Sequence, residues 1–186
     1  QMDRLLATCA RLRPDTDRLH EPAEATKHAL RSLAQRHAQL TEEITALDTR
    51  LAVLVEQINP ALLQLNGVGT DVAGQLLVTA GGNPERVRSE PAFAMLCGVA
   101  PLPASSGKTR RHRLNRGGDR QANAALYRIV LCRLRWDPRT RAYAARRTGE
   151  GLSKKEIIRC LKRLIAREIY HVLQATTITT PATQAA

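Results

Sequence analysis

Two adjacent serines, Ser105 and Ser106, lie in a Pro/Gly-flanked stretch, 97–120, that reads CGVAPLPASSGKTRRHRLNRGGDR. Behind them come Lys108, Arg110, Arg111, His112 (a cation when protonated), Arg113, Arg116 and Arg120. A hydroxyl beside guanidinium groups is equipment for attacking a phosphodiester. The oxygen is the nucleophile, and the cations offset charge on the non-bridging oxygens of the transition state. A serine hydroxyl needs a base or a metal to take its proton, and nearby only His112 is a candidate base. Ser and Gly also build ordinary turns, and the same cations without a reacting hydroxyl would simply hold a nucleic-acid backbone. Tyr127, Tyr143 and Tyr170 are rival hydroxyls. Each falls in a helical pattern, where a packed and hydrogen-bonded role is the simpler one.

The charge around this stretch is uneven. The 186 residues carry a formal net charge of +12 and only 3% aromatics. The charge favours a polyanionic partner, and the scarcity of aromatics argues against base-stacking platforms. Residues 105–171 hold 19 Lys/Arg against five acids, whereas the rest of the chain holds 10 against 12. One nucleic-acid-facing module joined to a differently employed segment is the expectation. Cys9, Cys97, Cys132 and Cys160 form no CxxC, and His20, His28, His37, His112 and His171 share no ligand spacing. Neither a disulfide framework nor a metal site is expected, and the thiols fit a reduced, cytoplasmic setting. No apolar run approaches the ~18 residues of a membrane span, and no signal peptide precedes the first helix.

The elements that position the serines are expected to be helical throughout. Over 22–60 an apolar seam runs through Leu30, His37, Ile44, Leu51 and Ile58 at a positions, and Leu33, Leu40, Leu47 and Leu54 at d positions. A seam this long without internal Gly or Pro predicts a coiled-coil helix, ended by Asn59-Pro60. The segment ALLQLNGVGTDVAGQLLVTA at 61–80 reads as helix, glycine turn, helix. Gly67 and Gly69 there fit a helix-hairpin-helix motif, which brings backbone N–H groups to a phosphate. Further helices are expected at about 89–97, from an Asp119 N-cap to Trp136, at 139–148, and from a Ser153/Glu156 capping box onward. The last presents Ile157, Ile158, Leu161, Leu164, Ile165, Ile169 and Val172 on one face. Its other face carries Lys154, Lys155, Arg159, Lys162, Arg163 and Arg167, a stripe suited to phosphates. The expected organisation is an N-terminal remnant or linker at 1–21, the coiled-coil helix at 22–60, a compact helical DNA-binding domain at 61–174 and a disordered tail at 175–186. The class is all-α.

LNGVGTDVAGQLL at 65–77, FAMLCGVAPLPASSGKTRRHRLNRGGDRQANAALYRIVL at 93–131 and SKKEIIRCLKRLIAREIY at 153–170 resemble, in that order, the C-terminal part of insertion-sequence transposases of the IS-one-ten type. The resemblance implies a DNA transposase or recombinase. Its members join an acidic, metal-binding RuvC-like domain to a coiled coil and a serine-bearing C-terminal domain, and some choose their sites with a bridge RNA. The family serine directly precedes glycine, which selects Ser106 over Ser105. Arg111 is the candidate catalytic cation, from a group with Arg110, Arg113 and Arg116 that the sequence does not rank. Gly67, Gly69, Lys108, Arg110, Arg113, Arg116, Lys154, Lys155, Lys162 and Arg163 become the nucleic-acid-binding set. Before the coiled coil the chain offers only Asp3, Asp15, Asp17 and Glu21 as acids. No metal site or cofactor is therefore assigned to this chain, and Mg²⁺ is expected in the acidic domain of a longer parent. The implied partners are DNA, a guide RNA in some members, and a second copy of the chain through the coiled coil. By itself the chain is expected to be inactive. The alternative is a non-catalytic module that binds nucleic acid and dimerises.

Overall fold

A computed structural model describes residues 1–81, 87–105 and 112–179, the side chains of 176–179 excepted. Among its described residues the regular structure is helical apart from one short hairpin, in agreement with the all-α class. The chain divides into two compact units, Gln1–Arg50 and Leu51–Ala186.

In the first unit, helix α1 (Met2–Ala10) precedes a 3-10 turn at Thr16–Arg18 and the start of the long helix α2 (Pro22–Ile58). The entry to α2 is fixed by Glu24, which accepts from the Asp15 amide at 2.8 Å and pairs with Lys27 at 2.6 Å. Those donors hold the Glu24 carboxyl below its usual range. Along α2 the seam residues Leu30, Leu33, Leu40, Ile44 and Leu47 are exposed, Leu33 at 67%. Thr41, Thr45 and Thr49 each turn their hydroxyl onto the carbonyl four residues back, at 2.8 Å, satisfying the hydroxyl on an acceptor shared with the helix ladder.

The last turns of α2 belong to the second unit. There Val55 is buried and Leu51 packs on the core, whereas Leu54 and Ile58 stay exposed. The face packed here is thus the i, i+4 pair Leu51/Val55, which keeps Leu51 of the a line and leaves out Leu54 and Ile58. Helices α3 (Pro60–Leu63), α4 (Thr70–Ala80), α5 (Glu90–Leu96), α6 (Arg120–Trp136), α7 (Pro138–Gly149) and α8 (Lys154–Thr179) follow. A two-residue hairpin, β1 (Leu102–Pro103) with β2 (His112–Arg113), lies between α5 and α6.

Helix α6 is the hub and packs against α4, α7 and α8. Its Ala122, Ala125, Leu126, Ile129 and Val130 are fully buried, and each large aliphatic side chain among them contributes about 1.5–3 kcal/mol. Asp119 caps α6, accepting from the Gln121 amide at 2.7 Å and the Ala122 amide at 3.2 Å. Asp137 ends α6 and caps α7, and its bonds from Thr140 hold its carboxyl low. The expected Ser153/Glu156 box is present, with the Ser153 amide donating to Glu156 at 2.9 Å and the Glu156 amide to Ser153 Oγ at 3.4 Å. On α8 one expected core residue differs. Leu164 is 44% exposed, because the buried arc runs through Ile157, Leu161, Ile165, Ile169 and Leu173 and leaves Leu164 at its edge.

Candidate functional site

The serine stretch leaves α5 and returns to α6 through a stem closed by two glycines. Gly98, with φ of 65°, ends α5. Its amide donates to Met95 O at 3.0 Å and the Val99 amide to Ala94 O at 2.8 Å, the left-handed close that glycine favours. Gly118, with φ of 92°, lies against the same helix end. A Cβ on Gly118 would stand 2.6 Å from Leu96 O and 2.7 Å from Gly98 N. Next to it the Asp119 amide donates to Leu96 O at 2.7 Å, which ties the start of α6 to the end of α5. Asp119 also accepts from Thr79 Oγ1 at 2.6 Å, bringing in the end of α4.

Asn123 completes the stem. Its Nδ2 donates to Cys97 O at 2.9 Å and Gly98 O at 3.0 Å, and its Oδ1 accepts from Lys162 Nζ at 2.8 Å. One neutral amide thus joins α6, the root of the serine stretch and α8. Asn123→Ala would leave two carbonyls without that donor and a buried ammonium without its acceptor. The expected loss is about 2–4 kcal/mol by urea unfolding; a loss below ~0.5 kcal/mol would show the stem is held without it.

From this stem β1 and β2 pair antiparallel, Leu102 opposite Arg113 and Pro103 opposite His112. Ser105 follows β1 and is exposed. Ser106, Lys108, Arg110 and Arg111 lie outside the described residues; in sequence they join β1 to β2. Arg113 and Arg116 are exposed on the returning arm. The Asn115 side chain steers that arm by accepting from the Gly117 amide at 3.0 Å. A cleft of about 880 Å³ opens beside the stem, walled by Gly98–Pro101, by His112–Asn115, by Tyr143 and Arg147 of α7, and by Glu156, Arg159, Lys162 and Arg163 of α8. Its charged lining is almost wholly cationic.

The basic face of α8 is not uniform. Lys154 and Lys155 are exposed at its start. Arg163 pairs with Glu90 of α5, joined by Arg167 at 3.1 Å, and these cations hold the Glu90 carboxyl below its usual range. Lys162 is only 8% exposed. Lys162 and Arg163 are therefore built into the fold as well as lining the cleft.

The glycine turn between α3 and α4 is asymmetric. Gly67, with φ of 79°, lies on α6, and an added Cβ would be 3.4 Å from Ile129 O, Cys132 Cβ and Arg133 Cγ. Gly69 caps α4 and faces open space. Arg133 clips the turn to α6 by donating to Asn66 O at 2.6 Å, and it pairs with Glu168 of α8 at 2.6 Å. Asp71, in the first turn of α4, pairs with Arg128.

The tyrosines and thiols take structural places. Tyr127 is exposed, and Tyr170 donates to Arg88 O at 3.4 Å. Tyr143 lines the cleft, but burial and the neighbouring Cys160 push its phenol up, away from the phenolate a nucleophile needs. Burial, with Asp119 adding to it, pushes the Cys97 thiol up to about 12. This contribution to stability is present below the unfolded thiol's ordinary value and is lost as pH rises toward 12. Alkylation at about pH 8.5 should therefore spare Cys97 in the folded chain and reach it in urea, read by peptide mass spectrometry. Equal labelling in both would contradict its burial. Among the described residues no three His, Cys, Asp or Glu side chains gather to fit a metal ion, and no helix is long and apolar enough to cross a membrane.

The sequence reading missed Asn123, the Thr79–Asp119 bond and the internal role of Lys162. A signal for Asn123 existed: it is a short amide set between Ala122 and Ala124 at the start of α6, beside that helix's apolar stripe.

Comparison with known proteins gives the same direction as this geometry. Over 28% identity across 159 residues the chain is similar to the insertion element IS900 uncharacterized 42 kDa protein of Mycobacterium paratuberculosis, covering 80% of this chain and 40% of that protein. It is 30% identical across 135 residues to the insertion element IS110 uncharacterized 43.6 kDa protein of Streptomyces coelicolor, covering 71% of this chain and 33% of that protein. The chain thus spans between a third and two fifths of these curated relatives. Residues 59–145, from the start of α3 through most of α7, match the model of the Transposase IS116/IS110/IS902 family. With the stem, the hairpin and Tyr143 of the cleft inside that match, the chain belongs with the IS110-type transposases.

Proposed function

We propose that this chain supplies the DNA-handling and serine-bearing part of a transposase, in which Ser106 attacks a DNA phosphodiester. The bond from Ser106 Oγ to phosphorus forms as the bond to the leaving deoxyribose oxygen breaks, and the displaced oxygen takes up a proton. The phosphoserine linkage conserves the bond energy, so that a hydroxyl on a second strand can displace the serine and reseal the break. Arg111, with Arg110, Arg113 and Arg116, offsets charge on the non-bridging oxygens. The observation that supports this reading is the pinned stem, which lies inside the family-matched residues 59–145, beside a cationic cleft. Mg²⁺, when bound by an acidic domain of the parent, would lower the pKa of the attacking hydroxyl.

Around that centre Lys108, Lys154 and Lys155 hold backbone phosphates, and Gly69 opens the start of α4 to another, in a helix-hairpin-helix role shared with Gly67. The exposed seam of α2 pairs with a second copy as a coiled coil. A guide RNA, where the parent uses one, shares the same cationic surface. The test is strand joining: the complete parent reading frame and this chain alone are each incubated with donor and target DNA. Joined product from the parent, with DNA binding but no product from this chain alone, is the expected result. A parent that binds DNA and never cuts it would leave the binding-and-pairing role and remove the catalytic one.

A further inference from the structure

The cleft contains a buried cation with no opposite charge paired to it among the described residues. Lys162 is 8% exposed, and its described acceptor is the neutral Asn123 Oδ1 at 2.8 Å. No described carboxylate pairs with it, while the nearby acids are already engaged. Glu90 holds Arg163 and Arg167, Glu150 holds Arg147, and Glu156 accepts from Ser153 and lies 3.9 Å from Arg159. Arg147 adds a buried Nε without a hydrogen-bond partner. Burying an ammonium without a counter-charge costs several kcal/mol unless an anion joins it.

Deepening the reading above, we propose that this cleft is an oxyanion site that takes a backbone phosphate of a nucleic-acid strand, with Lys162 innermost and Arg147 and Arg159 nearer the solvent. The cleft volume, about 880 Å³, accommodates a phosphate with its flanking sugars. Burial first, and Arg159 second, pull the Lys162 ammonium below the usual lysine range, the direction expected where the balancing anion is yet to bind. Through Asn123 the same lysine touches Cys97 and Gly98, the root from which the serine stretch leaves α5.

The test uses the 186-residue chain, inorganic phosphate, and one sequence as single-stranded DNA, duplex DNA and RNA. Lys162→Gln keeps an amide donor toward Asn123 and removes the charge. At phosphate about tenfold above its Kd, wild type should gain about 3–6 °C in Tm, and Lys162→Gln should gain less than half of that. The slope of log affinity against log salt should fall by about 0.7–0.9 in Lys162→Gln for the strand forms that enter the cleft. Should Lys162→Gln fail to fold, the double variant Arg147→Gln, Arg159→Gln must lower the slope in the same way. An unchanged slope for every nucleic acid overturns the proposal, including the case in which phosphate alone raises Tm. Strand joining by the parent would survive that failure, so the two readings fail separately.

Discussion

Gly118→Ala is expected to destabilise the second unit by about 3–5 kcal/mol, the largest single-residue effect on stability in the chain. Its φ of 92° is a conformation that alanine enters only with strain. The methyl would also meet three backbone atoms, Leu96 O at 2.6 Å and Gly98 N and Met95 O at 2.7 Å. None of these can rotate aside, since Leu96 O receives the Asp119 amide and the Gly98 amide donates to Met95 O. The end of α5 and the start of α6 would have to separate, taking Asn123 from its carbonyls. Urea unfolding of Gly118→Ala beside Gly149→Ala measures this. Gly149 has nothing within 4 Å of an added Cβ, so its variant should stay within about 0.5 kcal/mol of wild type. Equal effects at the two glycines would refute the pinned stem.

Ser106→Ala has the largest expected effect on activity. Removing a nucleophile's oxygen leaves no bond to form, and strand joining by the parent should fall by at least about 10⁴-fold. DNA affinity should change less than about twofold, because one neutral hydroxyl adds little to a contact dominated by cations. Ser105→Ala should retain joining within about tenfold, since its hydroxyl is not the attacking group. Loss of joining in Ser105→Ala with retention in Ser106→Ala would exchange their roles. Loss of DNA binding in Ser106→Ala would make the hydroxyl a binding group.

What was legible in the sequence was local. Asp119 before α6 and Ser153 three residues before Glu156 are caps whose partners lie within a turn. The stripe buried on α6 was legible for the same reason, since helical period alone puts Ala122, Ala125, Leu126 and Ile129 on one side. The basic face of α8 looked uniform because period says nothing of what stands opposite. Arg163 meets Glu90 across 73 residues, and Lys162 meets Asn123 across 39. Gly67 and Gly69 looked equivalent, yet only Gly67 needs a positive φ and lies on α6. On α2 the heptads were plain, but the second unit buries Val55, packs Leu51 against its core and leaves Leu54 and Ile58 exposed. Of the site itself, motif order located the serine stretch. The pair of glycines that pinches its stem and the Asn123 that joins it to Lys162 are products of tertiary contact.

The most direct measurement is the identity of the residue that carries DNA. The parent protein is trapped on a nicked substrate, denatured and digested, and the peptide bearing a nucleotide remnant is sequenced by mass spectrometry. The expected peptide spans the segment between β1 and β2 with the remnant on Ser106, and Ser106→Ala yields none. A remnant on Tyr127, Tyr143 or Tyr170, or strand joining that proceeds with no protein-linked DNA, would contradict the account.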